Sequence, residues 1–318
     1  MGWMKVMPQN KEKKDELLSI IMSTYNETKN ELEDSIESIL NQSYRNFEFI
    51  IVNDNPKNKD LKNILLQYRD KRIKIIENEK NIGLVASLNR AIKLCKGNII
   101  VRQDADDISE KNRLQKQLYF MKKNNCDFCG CYADIINENN NFIAQEIITP
   151  RYKYIEKATK YGTSVIHPTW MVKKEVYQKL NGYRNIKYCE DYDFLTRAIN
   201  SKLKIDNLPE KLLQYRIRSE SISHANIEKQ YILRIYLSKN RNKQLSESEI
   251  NNYMRSDKYK KECNKYKNYL KQKQLTKHKI IINNVMRLIT TKYFYYDMIE
   301  KIMNKYYCIK SQWVNNEI

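Results

Sequence analysis

Glycine and proline are scarce in this 318-residue chain, at 6 and 5 residues, so polar side chains must make its turns, and collagen-like or linker-dominated architectures are excluded. No stretch reaches the roughly 18 apolar residues that cross a bilayer. Residues 1–16 carry charges where a signal peptide needs an apolar block, so the protein is expected to be neither secreted nor membrane-spanning. The seven cysteines are odd in number and irregularly spaced, which argues against a disulfide framework and for a reducing, cytoplasmic setting. Cys126, Cys129 and Cys131 lie close together, but no second Cys or His pair follows at zinc-site spacing, so they read as buried strand residues.

What the chain does have is enough apolar residue, 41%, to bury a core, and 30% charged residues to keep it in water. The formal net charge of +20 draws phosphorylated substrates, anionic lipid or nucleic acid, although part of the excess follows from a general richness in Lys and Asn. No nucleic-acid-binding signature accompanies it, and no nucleic acid is expected as a partner.

Apolar runs and helical periodicities alternate along the first third of the chain. Residues 17–22, 47–52, 73–76 and 98–101 read as buried strands, and 31–41, 61–68 and 85–95 as helices. Such alternation predicts an α/β fold with a Rossmann-like, mostly parallel sheet flanked by helices. Ligands bind beyond the carboxyl ends of such strands, where Ser23 to Asn26, Asn53 to Asn55 and Asp104 to Asp107 all fall. A helix over 113–123 follows, then a hairpin over 128–136 and 142–148, a helix over 174–180 stopped at Asn181-Gly182, and a helix over 191–201. Beyond Ala225 basic residues outnumber acidic ones, Tyr recurs, strand signals vanish, and residues 279–307 predict a long amphipathic helix or helix pair.

Asp104, Asp106 and Asp107 crowd three carboxylates at a strand end, where like charges repel unless a cation neutralises them. Mg2+ or Mn2+ held by these oxygens together with substrate phosphates is one reading, and a solvated acidic turn capping the next helix is the other. Tyr25 and Asp54, at neighbouring strand ends, could hold a nucleobase or be ordinary loop residues. Glu190 and Asp191 open a helix, where acids are common, but where one could also take a proton from an attacking hydroxyl. His167 is either a phosphate or acceptor contact or a structural histidine, and Arg216 and Arg218 either grip a diphosphate or lie on the surface.

Read in order, these segments resemble the bacterial family 2 glycosyltransferases that build capsule, exopolysaccharide and lipopolysaccharide. The elements that carry the likeness are Ser19-Ile20-Ile21-Met22-Ser23-Thr24-Tyr25-Asn26, the helix around Ser35 to Ser43, Phe49-Ile50-Ile51-Val52-Asn53-Asp54, Asn81-Ile82-Gly83-Leu84, Lys96-Gly97, Arg102 to Asp107, His167-Pro168-Thr169, Glu190-Asp191-Tyr192-Asp193 and Tyr215-Arg216. They span roughly two-thirds of the chain, and their joint order is far more specific than any single motif.

The resemblance implies a glycosyltransferase A-type fold with a helical C-terminal extension. It divides the chain into a tail (1–16), a catalytic domain (17–225, with a nucleotide-sugar half over 17–110 and an acceptor half over 111–225) and a basic helical region (226–318). It implies a nucleotide-sugar donor, a UDP-hexose or UDP-N-acetylhexosamine, contacted by Ser23, Tyr25, Asn26, Asp54, Asn81, Gly83 and Asp104. Asp104 and Asp106 would hold a divalent metal, Mn2+ or Mg2+, Asp191 would be the general base, and Glu190, His167 and Arg216 would meet the acceptor or the diphosphate. The acceptor would be a glycan or a lipid-linked glycan, which makes the cytoplasmic face of the membrane a candidate docking place for the C-terminal region, the alternative being that this region packs on the catalytic domain.

Two departures stand out: Asn53-Asp54-Asn55-Pro56 lacks the glycine that relatives often have in that turn, and Ser23 stands where many have proline. Two rival classes are a basic membrane- or nucleic-acid-binding protein without catalysis, and a nucleotidyltransferase. The latter ordinarily needs a Gly-rich phosphate loop after the first strand, and residues 23–30 contain no glycine.

Overall fold

The computed structural model describes residues 16–218, 226–278 and 291–313. The first half is the expected alternation: β1 (Leu18–Thr24), α1 (Lys29–Leu40), β2 (Phe47–Asn53), α2 (Lys59–Gln67), β3 (Ile73–Glu77), α3 (Leu84–Leu94) and β4 (Ile99–Arg102). After β5 (Ile108–Ser109) and α4 (Arg113–Lys123) come β6 (Phe128–Ile136), β7 (Phe142–Ile147), α5 (Tyr152–Ala158), a 3-10 turn at His167–Thr169, β8 (Met171–Lys173), α6 (Lys174–Lys179), α7 (Glu190–Asn200) and β9 (Ile205–Arg216).

One sheet runs in the order β3-β2-β1-β4-β8-β6-β9-β5, with β7 on β6. The block β3-β2-β1-β4 is parallel, β8 is antiparallel to both β4 and β6, and β9 runs parallel to β6. Alternation along β1 explains how both faces are covered. Leu18, Ile20 and Met22 pack with Leu32, Ile36 and Leu61 of α1 and α2, while Ile21 packs on the other face with Leu88 and Ala91 of α3 and Phe194 of α7. Cys126, Cys129 and Cys131 are buried free thiols in this core, as their spacing suggested.

Local chemistry fixes the element ends. Thr28 caps α1 in a reciprocal box, its hydroxyl accepting from the Glu31 amide while the Glu31 carboxylate accepts from the Thr28 amide. Asn181 and Gly182 both take left-handed backbone, at φ 54° and 67°, and stop the chain after α6 where the sequence predicts it. The principal element absent from the sequence reading is β9. Its exposed Pro209-Glu210-Lys211 interrupts the apolar pattern, and its pairing with β6 shifts register around Tyr132.

The C-terminal region is helical wherever it is described: α8 (Ile227–Asn240), α9 (Glu247–Arg255), α10 (Asp257–His278) and α11 (Lys292–Trp313). Of the predicted closing helix, residues 279–290 lie outside the described residues. The recurrent tyrosines are the core of this region, with Tyr231 stacked on Tyr266 at 4.1 Å and Tyr236 on Tyr253 at 3.6 Å. The same cluster takes in Ile186, Cys189 and Tyr192, so these helices pack against the start of α7. None of the described helices is long and apolar enough to cross a membrane.

Candidate active site

The β4–β5 loop carries Asp104, Asp106 and Asp107, one carboxylate oxygen of each lying within 4.8 Å of the others. Buried groups beneath the loop set its path. The Gln103 amide donates to the Asp107 carbonyl at 2.8 Å and to Ser35 Oγ at 3.0 Å, and the Ser35 hydroxyl donates to the Asp104 carbonyl at 2.7 Å. Arg113, wholly buried, donates to the Arg102 and Pro168 carbonyls, to Gln103 Oε1 and to Ser109 Oγ. The carboxylates are therefore pressed together by a scaffold that does not depend on them.

Their charge is only partly balanced. Asp104 pairs with the buried Arg102, and Asp106 pairs with Arg218 at 2.8 Å. Asp107 accepts the Arg216 amide on Oδ1, whereas its Oδ2 is buried with no hydrogen-bond partner among the described residues. Burial pushes the Asp106 carboxyl up to about 7, with Asp104 and Glu27 adding to the shift and Arg218 opposing it. Asp107 is raised well above the usual carboxylate range by burial and by the charges of Asp106 and Asp104. Three crowded hard oxygen donors, one of them unsatisfied, fit a divalent cation such as Mg2+ or Mn2+.

The second acidic group opens α7. Tyr188 reaches this helix start with left-handed backbone, at φ 77°, held by Lys229 of α8 over its ring at 5.3 Å. Glu190 and Asp191 follow, deeply set yet in contact with solvent. Burial, then the Asp191 charge, raises Glu190 to about 8. Burial also raises Asp191 to about 6, opposed by the Tyr192 amide bound at 2.7 Å and reinforced by the charge of Asp104. Asp104 thus acts on both members of the pair, and Tyr215 of β9 lies in the field of Asp104, Asp106, Asp107 and Asp191 together. The loop after β4 and the start of α7 therefore lie near enough for their charges to act on one another.

His167 sits among the aromatic side chains beneath α7. Its Nε2 shares a hydrogen bond with the Tyr183 hydroxyl at 2.9 Å, and its ring meets Trp170 edge to face at 4.6 Å. Burial and the charge of Arg102 push its pKa well below the ordinary value, so it is a neutral histidine within an aromatic nest.

Ser23 lies within β1, just before its buried last residue Thr24, Tyr25 and Asn26 follow the strand, and Tyr25 is 44% exposed to solvent. Asp54, placed beside it at the end of β2, is buried and engaged: its carboxylate accepts from Asn78 Nδ2 and the Ile82 amide at 2.8 Å and from the Gly83 amide at 2.9 Å. It anchors the loop that carries Asn81, whose own Oδ1 accepts from the Gly83 amide at 2.9 Å. Gly83 has φ 86° and ψ 161°, a backbone region nearly restricted to glycine, and the N–H it gives Asp54 depends on that conformation.

One expectation needs correction. Arg216 was set beside the diphosphate or the acceptor, but its guanidinium lies buried against the Asp106, Asn137 and Glu138 carbonyls and Asn140 Oδ1. It ties the carboxylate loop to the β6–β7 turn, while Arg102 and Arg218 are the arginines paired with Asp104 and Asp106. Arg102, Arg113 and Asn78 went unremarked as site residues. Arg102 carried a signal, its position directly before the acidic run, but a buried Arg113 has no sequence signature, because arginine is ordinarily a surface residue.

The description "Glycosyl transferase family 2" is that of the family profile matching residues 19–180. A glycosyltransferase of Methanocaldococcus jannaschii described as uncharacterized is 40% identical over 228 residues, 70% of this chain and 78% of that one. The O-antigen biosynthesis glycosyltransferase WbnJ of Escherichia coli is 36% identical over 233 residues, 70% of this chain and 90% of that one. Among solved structures, S. aureus TarS 1-349 in complex with UDP-GlcNAc aligns with TM-score 0.55 and 20% identity over 73% of this chain and 68% of that one, a likeness of fold.

Proposed function

The chain belongs to glycosyl transferase family 2, and on that premise we propose that it moves a hexosyl or N-acetylhexosaminyl residue from a UDP donor to a hydroxyl of a growing surface glycan, with inversion. The observation that carries this reading is the carboxylate triad at the end of β4, together with a second acidic pair, Glu190–Asp191 at the start of α7, close enough that the Asp104 charge raises both.

The nucleotide lies across the carboxyl ends of β1 and β2, where the exposed ring of Tyr25 offers a stacking face and the loop anchored by Asp54 forms the wall. Asp104, Asp106 and Asp107 would hold Mn2+ or Mg2+, whose chemistry there is to offset the charge that develops on the departing diphosphate. Asp191 takes the proton of the acceptor hydroxyl as its oxygen bonds to the anomeric carbon and the bond from that carbon to the diphosphate breaks, releasing UDP. Glu190, held protonated near neutral pH beside the ionised Asp191, is a donor to the acceptor or the sugar. His167 keeps Tyr183 and Trp170 in register as the floor of the acceptor side.

The O-antigen assignment of WbnJ supports a surface glycan as product. The deciding experiment compares wild type with Asp191→Asn for UDP-sugar binding by thermal shift with Mn2+, and for transfer by UDP release. Retained binding with abolished transfer is expected, and normal turnover by the variant removes Asp191 from the reaction.

A further inference from the structure

The last helix, α11, carries two opposed faces. Its inner row consists of Tyr293, Asp297, Glu300, Asn304, Tyr307 and Cys308. Tyr293 is buried among the tyrosines of α8 and α10, Asp297 pairs with Lys273, and Glu300 pairs with Arg234 at 2.5 Å. Cys308 donates to the Ile148 carbonyl at 3.3 Å, and the Tyr307 ring lies 5.9 Å from Tyr154. This row fastens the helix to the body of the protein near α5.

The outer row has no such fastening. Tyr295, Met298, Ile299, Ile302, Tyr306 and Ile309 recur at three- and four-residue intervals and are each at least 40% exposed. Six large apolar or aromatic side chains on one stripe form a contiguous patch rather than the scattered apolar residues usual on a soluble surface. At helical spacing, Lys301 and Lys305 border the stripe on one side and Lys292 and Lys310 on the other, all exposed, with Lys292 also paired to Glu262 of α10 and Lys301 lying 3.8 Å from Asp297. Asp297 and Glu300 are the helix's only acids over residues 292–313, and both are neutralised on the inner face.

We propose that the outer face of α11 is a docking surface for an anionic lipid bilayer, the helix lying in the headgroup plane with the stripe inserted and the lysines on the phosphates. An apolar sector rimmed on both sides by lysine, with no acid of its own helix on that face, is what binding to such a surface requires. A second copy of the chain is the poorer occupant. Pairing two such stripes would set lysine rows against lysine rows, in a protein whose formal net charge is already +20. The inference stands on α11 alone and does not depend on the transfer reaction.

The test is sedimentation of the full-length protein with vesicles of phosphatidylcholine, with and without phosphatidylglycerol, at low and high salt. Wild type is expected to partition onto the mixed vesicles and to be released by salt, with little binding to phosphatidylcholine alone. Lys301→Gln/Lys305→Gln should weaken partitioning by about fivefold per lysine removed, and Ile299→Asp/Ile302→Asp should abolish it. Both variants keep the inner row, so an unchanged melting temperature and unchanged UDP-sugar binding verify the fold. Equal binding to both vesicle types, or undiminished binding by the Ile variant, overturns the proposal. So does concentration-dependent dimerisation that the Ile variant abolishes without any vesicle binding, since the occupant is then a second copy.

Discussion

If Asp191 accepts the acceptor proton, the acid limb of the pH–rate profile at saturating Mn2+, which would keep Asp106 ionised, belongs to it. Burial raises its pKa to about 6, with Asp104 adding and the Tyr192 amide subtracting, so the base is present above that value and lost as pH falls through it. At pH 7 about nine-tenths of the molecules carry the ionised base and at pH 5 about one-tenth, so kcat/KM should fall about tenfold over those two units. Glu190 titrates near 8 and holds its proton across that range, so Glu190→Gln should leave the limb in place while lowering the rate. Asp191→Asn should lose about a hundredfold to ten-thousandfold in rate, the usual worth of a positioned base, and what remains should show no acid limb. The assay is UDP release at saturating and limiting donor from pH 4.5 to 8, with circular dichroism at each pH to exclude unfolding. A profile flat between pH 7 and pH 5, or an acid limb that survives in Asp191→Asn, refutes the assignment.

Asp193→Ala removes a buried carboxylate that accepts from both Arg184 and Arg197 and should cost about 3–5 kcal/mol in urea unfolding, while Asp193→Asn should lose less. Gly83→Ala forces a side chain onto φ 86° and should cost about 1–3 kcal/mol, with weaker UDP binding in calorimetry as the Asp54 anchor loosens. With a chelator present, Asp106→Asn should melt higher than wild type, because the cost of burying that charge, which Arg218 offsets only in part and Asp104 increases, is gone, and added Mn2+ should raise wild type far more than the variant. A lower melting point for Asp106→Asn in chelator would show that the pair with Arg218 outweighs that cost.

The parallel half of the sheet was legible because β1, β2 and β4 are buried on both faces and therefore read as unbroken apolar runs. The acidic loop and the Glu190–Asp191 pair were legible as residue types at strand and helix ends, but their convergence was not, since it depends on β8 and β9 joining the sheet halves. β8 has three residues, too few for periodicity, and β9 is broken by Pro209-Glu210-Lys211. Asp54 shows the limit of position-based reasoning: its place at a strand end suggested an open contact, whereas its carboxylate is committed to Asn78, Ile82 and Gly83.

The arginines explain why so unfavourable a cluster can persist. Buried carboxylates that repel one another would ordinarily move apart or draw in water, and a loop shaped by them would collapse when their charge changed. Here the loop is shaped from behind, by Arg113 on the Arg102 and Pro168 carbonyls, Arg216 on the Asp106 carbonyl and Gln103 on the Asp107 carbonyl. Main-chain oxygens, not carboxylates, receive those bonds, so Asp106 and Asp107 are left to point at one another across a fixed gap. Among the described residues, Arg102 and Arg218 are the guanidinium groups paired with these carboxylates, and Arg218, at 20% side-chain exposure, is the more accessible of the two. Arg218 also touches Glu27 at 4.0 Å and Glu31 at 3.5 Å, partners that can retain it if it leaves Asp106. Asp106 and Asp107 would therefore hold a divalent cation in a loop already shaped, with Glu27 and Glu31 there to retain Arg218, and the charge that cation would supply is the preorganised kind that charge-stabilising catalysis requires.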